Sequence, residues 1–114
     1  MLPFNSDQSA KTLASALQTL QLEANAILEL RSRLGTTFVN AVELMLGCSG
    51  RVVVCGLGKT GHIARKIAAT LASTGTRSFF LHAAEAIHGD IGMLAQEDVP
   101  VSYTHLTLPT ILRV

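Results

Sequence analysis

The residues of this chain best suited to chemistry on an anion fall close together. Lys59 lies in the run R-V-V-V-C-G-L-G-K-T-G from Arg51 to Gly61, between Gly58 and Thr60. His82 and His88 follow downstream, and Glu85 and Asp90 flank His88 in A-A-E-A-I-H-G-D-I-G-M-L. An ammonium group can neutralise a phosphate or a developing oxyanion, and an imidazole can carry a proton near neutral pH. The glycine turn adds to this: Gly56 and Gly58 let the backbone reverse without a Cβ in the way. A helix starting there presents N–H groups without intrahelical partners at the positive end of its dipole, where an anion sits well. The expected ligand is therefore a phosphate, with Gly58, Lys59 and Thr60 as its candidate contacts. The alternative is a tight strand-to-helix turn that binds nothing.

Two known glycine motifs can be tested against the spacing. A nucleotide P-loop needs a glycine five residues before the Gly58-Lys59-Thr60 triplet, and that position is Val53, inside an apolar run. The dinucleotide pattern G-x-G-x-x-G is met by Gly56, Gly58 and Gly61, but the acid that should hold a ribose about twenty positions on is replaced by Leu81 and His82. Both readings lose ground. The histidines show neither His-Glu-x-x-His spacing nor a cysteine pair, which argues against structural zinc. An adventitious or inhibitory metal at His82 fits better, and no cofactor is required.

These groups must be positioned by a parallel β-α-β unit. Val52 to Cys55 is a continuous apolar, mostly β-branched run of the kind buried on both faces of a sheet. From Gly61 onward Ile63, Ile67 and Leu71 recur at four-residue steps, predicting a helix. Thr74, Gly75 and Thr76 close that helix, and Ser78 to His82 form a second strand. Right-handed crossover puts both strand ends on one sheet edge, bringing Gly56 to Lys59 near His82. A short helix with a glycine break would return His88 to the same edge, or leave it as a surface or capping residue.

Ahead of this unit, Leu13, Leu17, Leu20, Ala24, Ile27, Leu30 and Leu34 step along one face of a long amphipathic helix, with Asp7 or Ser9 as its cap and Gly35 as its stop. A second helix starts near Thr36 or Thr37, carries Phe38, Val42, Met45 and Leu46, and ends at Gly47 or Gly50. The pair is expected as a helical hairpin, with a stripe broad enough to pair between subunits.

Composition narrows the class. With 48% hydrophobic and 15% charged residues, the chain is built for a packed core. At 114 residues that is one small domain or part of a larger one. Nine basic residues against eight acidic ones leave no basic stripe, and few aromatics are available for stacking, so a nucleic-acid partner is not expected. No apolar run reaches bilayer length and no signal peptide is evident, so no membrane partner is expected and the cytoplasm is the expected compartment. Cys48 and Cys55 are isolated and read as buried, reduced thiols.

The segments G-R-V-V-V-C-G-L-G-K-T-G-H-I-A-R-K-I-A-A-T-L-A-S-T-G-T and F-F-L-H-A-A-E-A-I-H-G-D-I-G-M-L closely resemble the arabinose 5-phosphate isomerases of Gram-negative bacteria, which are sugar-isomerase (SIS) domain proteins. The resemblance runs from about Leu13 to Val99. It implies an α/β fold: a helical hairpin over residues 1–50, and the first half of a flavodoxin-like three-layer SIS domain over 51–100. It also implies a sugar phosphate as small-molecule partner, isomerisation between D-ribulose 5-phosphate and D-arabinose 5-phosphate, and a homotetrameric parent whose product feeds synthesis of the Kdo sugar. By resemblance Lys59 is catalytically relevant, Gly75 and Thr76 contact substrate, His82 contacts substrate and can hold an inhibitory zinc, and His88 is a second substrate-contacting histidine with a share in proton transfer. The resemblance also implies a continuation after the third strand into a serine-rich loop that binds the sugar phosphate, followed by glutamates and a late histidine from the second half of the domain. Here residues 101–114, V-S-Y-T-H-L-T-L-P-T-I-L-R-V, read as a tail foreign to that pattern, with no role for His105. The segment alone is then expected to be inactive. A phosphosugar-sensing SIS module without catalysis, or a dinucleotide oxidoreductase, are the competing classes.

Overall fold

The computed structural model describes residues 2–103, so most of the expected tail, His105 included, lies outside the described residues. The chain divides into two compact units, one up to Asn40 and one from Ala41.

The first unit is dominated by helix α1, Ser6–Leu30. Its cap is Asn5, not Asp7 or Ser9. Asn5 is extended and its side chain accepts from Gln8 N–H at 2.8 Å, while Gln8 Oε1 accepts from Asn5 N–H at 3.0 Å. This reciprocal pair answers two helix-end donors that Asp7 or Ser9, already inside the helix, cannot reach. The helix also ends before Gly35. Arg31, Ser32 and Arg33 each donate to the carbonyl three residues back, tightening the last turn. Gly35 instead opens α2 (Thr36–Leu46), its carbonyl accepting from Phe38 and Val39. No residue of α1 is buried: Leu13, Leu17 and Leu20 are 57–63% exposed.

The second unit is a parallel sheet of three strands, β1 (Val52–Gly56), β2 (Ser78–His82) and β3 (Val99–Tyr103), in the order β2-β1-β3. Helix α3 (Gly58–Ser73) joins β1 to β2, and the short α4 (Ala83–Ile87) and a 3-10 turn (Asp90–Met93) lead to β3. Val52, Val53 and Val54 are at most 1% exposed because the central strand is covered on both faces. α3 packs on one face through Val52, Val54, Ala64 and Ala68, joined by Phe80 and Val101. On the other, Val53, Cys55 and Leu81 meet Ala86, Ile91 and Leu94 around a cavity of about 210 Å³.

The face of α3 that meets the sheet is made of its small residues and not of its isoleucines. Ile63 and Ile67 stay 50% and 39% exposed, and the buried residues are Thr60, Gly61, Ala64 and Ala68. Small side chains win this face because the helix approaches β1 too closely for isoleucine. A Cβ on Gly56 would stand 2.9 Å from Thr60 O and 3.0 Å from Gly61 Cα.

The lower end of the sheet is tied by one ion pair. Asp98, its side chain 2% exposed, accepts from Arg51 N–H at 2.7 Å, Arg51 Nη2 at 3.0 Å and Ala95 N–H at 2.9 Å. Arg51 also donates to Met93 O and lies over the Phe79 ring. This clasp joins the start of β1 to the start of β3 and leaves the opposite end of the strands open.

Candidate sugar-phosphate site at the β1–α3 junction

At that open end, β1 finishes at Gly56 directly beside His82, its register partner on β2. The expected juxtaposition of the glycine turn and His82 is therefore present. Gly58 takes a positive φ of 59°, a conformation that costs a side-chain-bearing residue, so the turn needs glycine there. The helix starts at Gly58, three residues earlier than the periodicity from Gly61 indicated, so Lys59 and Thr60 belong to its first turn.

The helix cap is unusual in a way that favours a ligand. Leu57 occupies the N-cap position and has no side-chain acceptor to offer. Gly61 N–H reaches Leu57 O at 3.2 Å, but the N–H groups of Gly58, Lys59 and Thr60 precede it and have no intrahelical acceptor. Three N–H groups at a helix start make a natural seat for an anion. Thr60 contributes its backbone alone: its hydroxyl donates to Leu57 O at 2.7 Å and accepts from Leu57 N–H at 3.3 Å, and the residue is 7% exposed. Lys59 is exposed and makes no ion pair among the described residues.

His82 is both the last residue of β2 and the N-cap of α4. Its Nδ1 accepts from Ala84 N–H at 3.2 Å. An accepting nitrogen carries no proton, so the neutral ring holds its proton on Nε2 and presents a donor there. That tautomer suits a phosphate or sugar oxygen better than a metal. Among the described residues no group of three His, Cys, Asp or Glu is placed to hold a metal.

Beside His82 a cavity of about 260 Å³ is lined by Gly58, Gly61, His62, Arg65 and Phe80. His62 and Arg65 are not singled out by the sequence analysis. Their signal was the helical phase: counted from Gly58, positions 58, 61, 62 and 65 fall on one face. That phase is visible only when the helix starts at Gly58.

The other expected residues do not gather here. His88 is exposed at the C-terminal end of α4, whose five residues rise roughly 7.5 Å, and it does not line the cavity. Gly75 and Thr76 close α3 at the opposite end of the sheet, where they line a cavity of about 220 Å³ with Val52 and Arg77. Strand polarity forces that separation. A helix that leaves the C-terminal edge must return to the N-terminal edge before β2 can run parallel, so the length of β2, roughly 15 Å, lies between Thr76 and His82. Within this chain Gly75 and Thr76 do not share a site with Lys59 and His82.

The profile of the SIS domain matches residues 45–105, more than half of the sequence. The chain belongs to the SIS-domain family. This SIS chain is 52% identical over 101 residues to arabinose 5-phosphate isomerase KdsD of Pseudomonas aeruginosa, a match covering 89% of the chain and 31% of that relative. It is 55% identical over 91 residues to arabinose 5-phosphate isomerase GutQ of Escherichia coli, covering 80% of the chain and 28% of the relative. Its fold superposes with a TM-score of 0.78, at 40% identity, on the Escherichia coli protein c3406 solved in complex with arabinose 5-phosphate, covering 87% of this chain and 51% of that one. The chain thus spans about a third of the curated relatives it matches. The three-layer arrangement of this α/β SIS segment agrees with the fold expected from the sequence.

Proposed function

We propose that the chain is part of an aldose–ketose isomerase that interconverts D-ribulose 5-phosphate and D-arabinose 5-phosphate. The observation carrying this reading is the 52–55% identity to arabinose 5-phosphate isomerases over 80–89% of the chain. The β1–α3 junction supports it with free amides, a lysine and a histidine at one sheet edge. Such isomerisation moves a proton between adjacent carbons through an enediol, so it needs a base and a positive group on the carbonyl oxygen. In this reading the amides of Gly58, Lys59 and Thr60 and the Nε2–H of His82 hold substrate oxygens, Lys59 stabilises negative charge, and His88 shares in the proton transfer. The acid–base groups that the family resemblance places beyond this segment complete the reaction, so the 114 residues bind substrate without turning it over at a full-length rate.

The same reading makes the protein cytoplasmic and homotetrameric, with a product that serves Kdo and lipopolysaccharide synthesis. The exposed leucine stripe of α1 supports association between copies. No cofactor is needed. Added zinc acts as an inhibitor at His82, where it must compete with the Ala84 N–H bond. The test is an NMR titration of the purified chain with arabinose 5-phosphate, alongside an assay for its formation from ribulose 5-phosphate. Shifts at Lys59 and His82 with little turnover are expected. Absence of any shift at Lys59, His82 and His88 would sink the reading, and turnover at a full-length rate would show that the segment is sufficient.

A further inference from the structure

The geometry points to Arg65 as a positioning residue: acting through the ring of Phe80, it fixes the imidazole of His82 and so the direction of the Nε2–H donor. This rests on the reading in which His82 meets the sugar phosphate, and adds to it what holds that histidine still. His82 needs such help. Its Nδ1 accepts from Ala84 N–H at 3.2 Å, a long bond from a residue only two positions on, in the first turn of a five-residue helix. A single bond to one ring nitrogen leaves the ring free to tilt, and the second side-chain torsion of histidine is broad, so a half-turn would exchange Nδ1 for a carbon. The neighbouring strand offers no correction. His82 is in register with Gly56, which has no side chain to pack against it.

Phe80 supplies the missing wall. It precedes His82 by two residues on β2, so both side chains leave the same face of the sheet, and their rings meet edge to face with centroids 6.2 Å apart and planes at 89°. Phe80 is in turn held from α3. It packs against the core of Val54, Ala64 and Ala68, and its Cζ lies 3.6 Å from where a Cβ on Gly61 would stand. One turn after Gly61, the Arg65 guanidinium lies over the ring, 4.3 Å from its centre. Among the described residues Arg65 has no carboxylate partner, whereas Arg33 and Arg51 both do, so the aromatic face is the contact that orders it. Arg65, Phe80 and His82 all line the cavity of about 260 Å³ beside Gly58, so the imidazole has room to swing once the stack is broken. The stack crosses from α3 to β2. It ties the helix start, with the amides of Gly58, Lys59 and Thr60, to the histidine at the strand end.

The experiment is NMR of the 114-residue chain without ligand at about pH 8, where an ordinary imidazole is neutral, reading both ring nitrogens of His82. In the unsubstituted chain Nδ1 is expected to be unprotonated and Nε2 protonated. Arg65→Met keeps the alkyl stem over Phe80 and removes the charge, and is expected to move both nitrogens towards the averaged values of a free imidazole. Phe80→Leu should move them further, and Arg65→Lys, which keeps a cation over the ring, less, while the circular dichroism of all three stays unchanged. On titration with arabinose 5-phosphate, Arg65→Met is expected to weaken binding roughly 2- to 5-fold, the span to which an exposed cation–π contact converts. If folded Arg65→Met and Phe80→Leu both keep the His82 ring of the unsubstituted chain, the positioning role is overturned and the isomerase reading stands. Weaker binding by Arg65→Met with an unchanged ligand-free His82 ring would place Arg65 on the ligand itself and overturn the role equally. Averaged nitrogens in the variants, with no shift anywhere in the unsubstituted chain on adding arabinose 5-phosphate, would uphold the stack and overturn the sugar-phosphate reading on which its use depends.

Discussion

Replacing Gly56 with alanine should loosen the joint on which the whole site rests. The new Cβ would lie 2.9 Å from Thr60 O and 3.0 Å from Gly61 Cα and N, where ordinary contact begins near 3.4 Å. All three atoms are backbone, so none can swing aside, and the first turn of α3 must retreat by about 0.5 Å. The helix resists because Ala64 and Ala68, at 0% and 3% exposure, are already seated against Val52 and Val54. Forced overpacking of this kind costs about 1–3 kcal/mol. Urea unfolding followed by circular dichroism measures it. The control is Gly92→Ala, whose Cβ meets nothing within 4 Å and which should stay within about 0.5 kcal/mol of the unsubstituted chain. Amide spectra of Gly56→Ala should also shift from Gly58 through Arg65, and sugar-phosphate binding should weaken with them. If Gly56→Ala matches the unsubstituted chain in stability and its amides keep their positions, α3 does not rest on β1 as described, and the fixed geometry of the anion site loses its basis.

Acid should undo the Arg51–Asp98 clasp over a defined window. The Arg51 side-chain hydrogen bond, then Ala95 N–H, hold the Asp98 carboxyl down at about 2 from its ordinary 3.8. A depressed folded value means the stabilisation is complete above about pH 4 and is lost as pH falls towards 2. Asp98→Asn should be less stable at neutral pH and lose less on acidification through that window, and parallel urea midpoints for the two proteins would contradict this. Thr60→Val keeps the shape but removes the hydroxyl that serves both backbone groups of Leu57, and should cost about 1 kcal/mol in urea unfolding. No loss of stability would mean those bonds contribute nothing net. Burial pushes the Cys55 thiol up from its ordinary value, so it should alkylate far more slowly in the native chain than in urea, with equal rates counting against a covered sheet face.

The elements themselves were largely legible in the residues. Ser78–His82 is a strand with the bounds the sequence indicated, and the apolar run at Val52 is the central strand, because β-branched continuity between glycine turns leaves few other structures open. Capping was less legible. Asn5 and Gln8 form the reciprocal pair, while Asp7, an equally plausible cap by type, is inside α1 and bonded to Lys11 at 2.8 Å. Choosing among adjacent capping residues depends on backbone angles that the residue types do not fix. The buried face of α3 is not legible in the residues for a related reason. Apolar spacing favours Ile63 and Ile67, but the closest approach of helix to strand admits only small residues, and that distance is a property of the packed pair.

The site divides along the same line. Residue order alone placed a glycine turn, a lysine and a helix start after a buried strand, and parallel pairing was enough to bring His82 alongside, since register follows from strand direction and crossover. Packing decided the rest. It paired Arg65 with Phe80 across two elements, set the His82 tautomer through a bond to Ala84, and occupied the Thr60 hydroxyl with Leu57. It also sent Gly75 and Thr76 to the far end of the sheet. Sequence determines which groups stand at each end of a strand, because chain polarity is written in residue order. Which of them meet, and which are already taken by a neighbour, is decided by distances that exist only once helix and sheet are packed together.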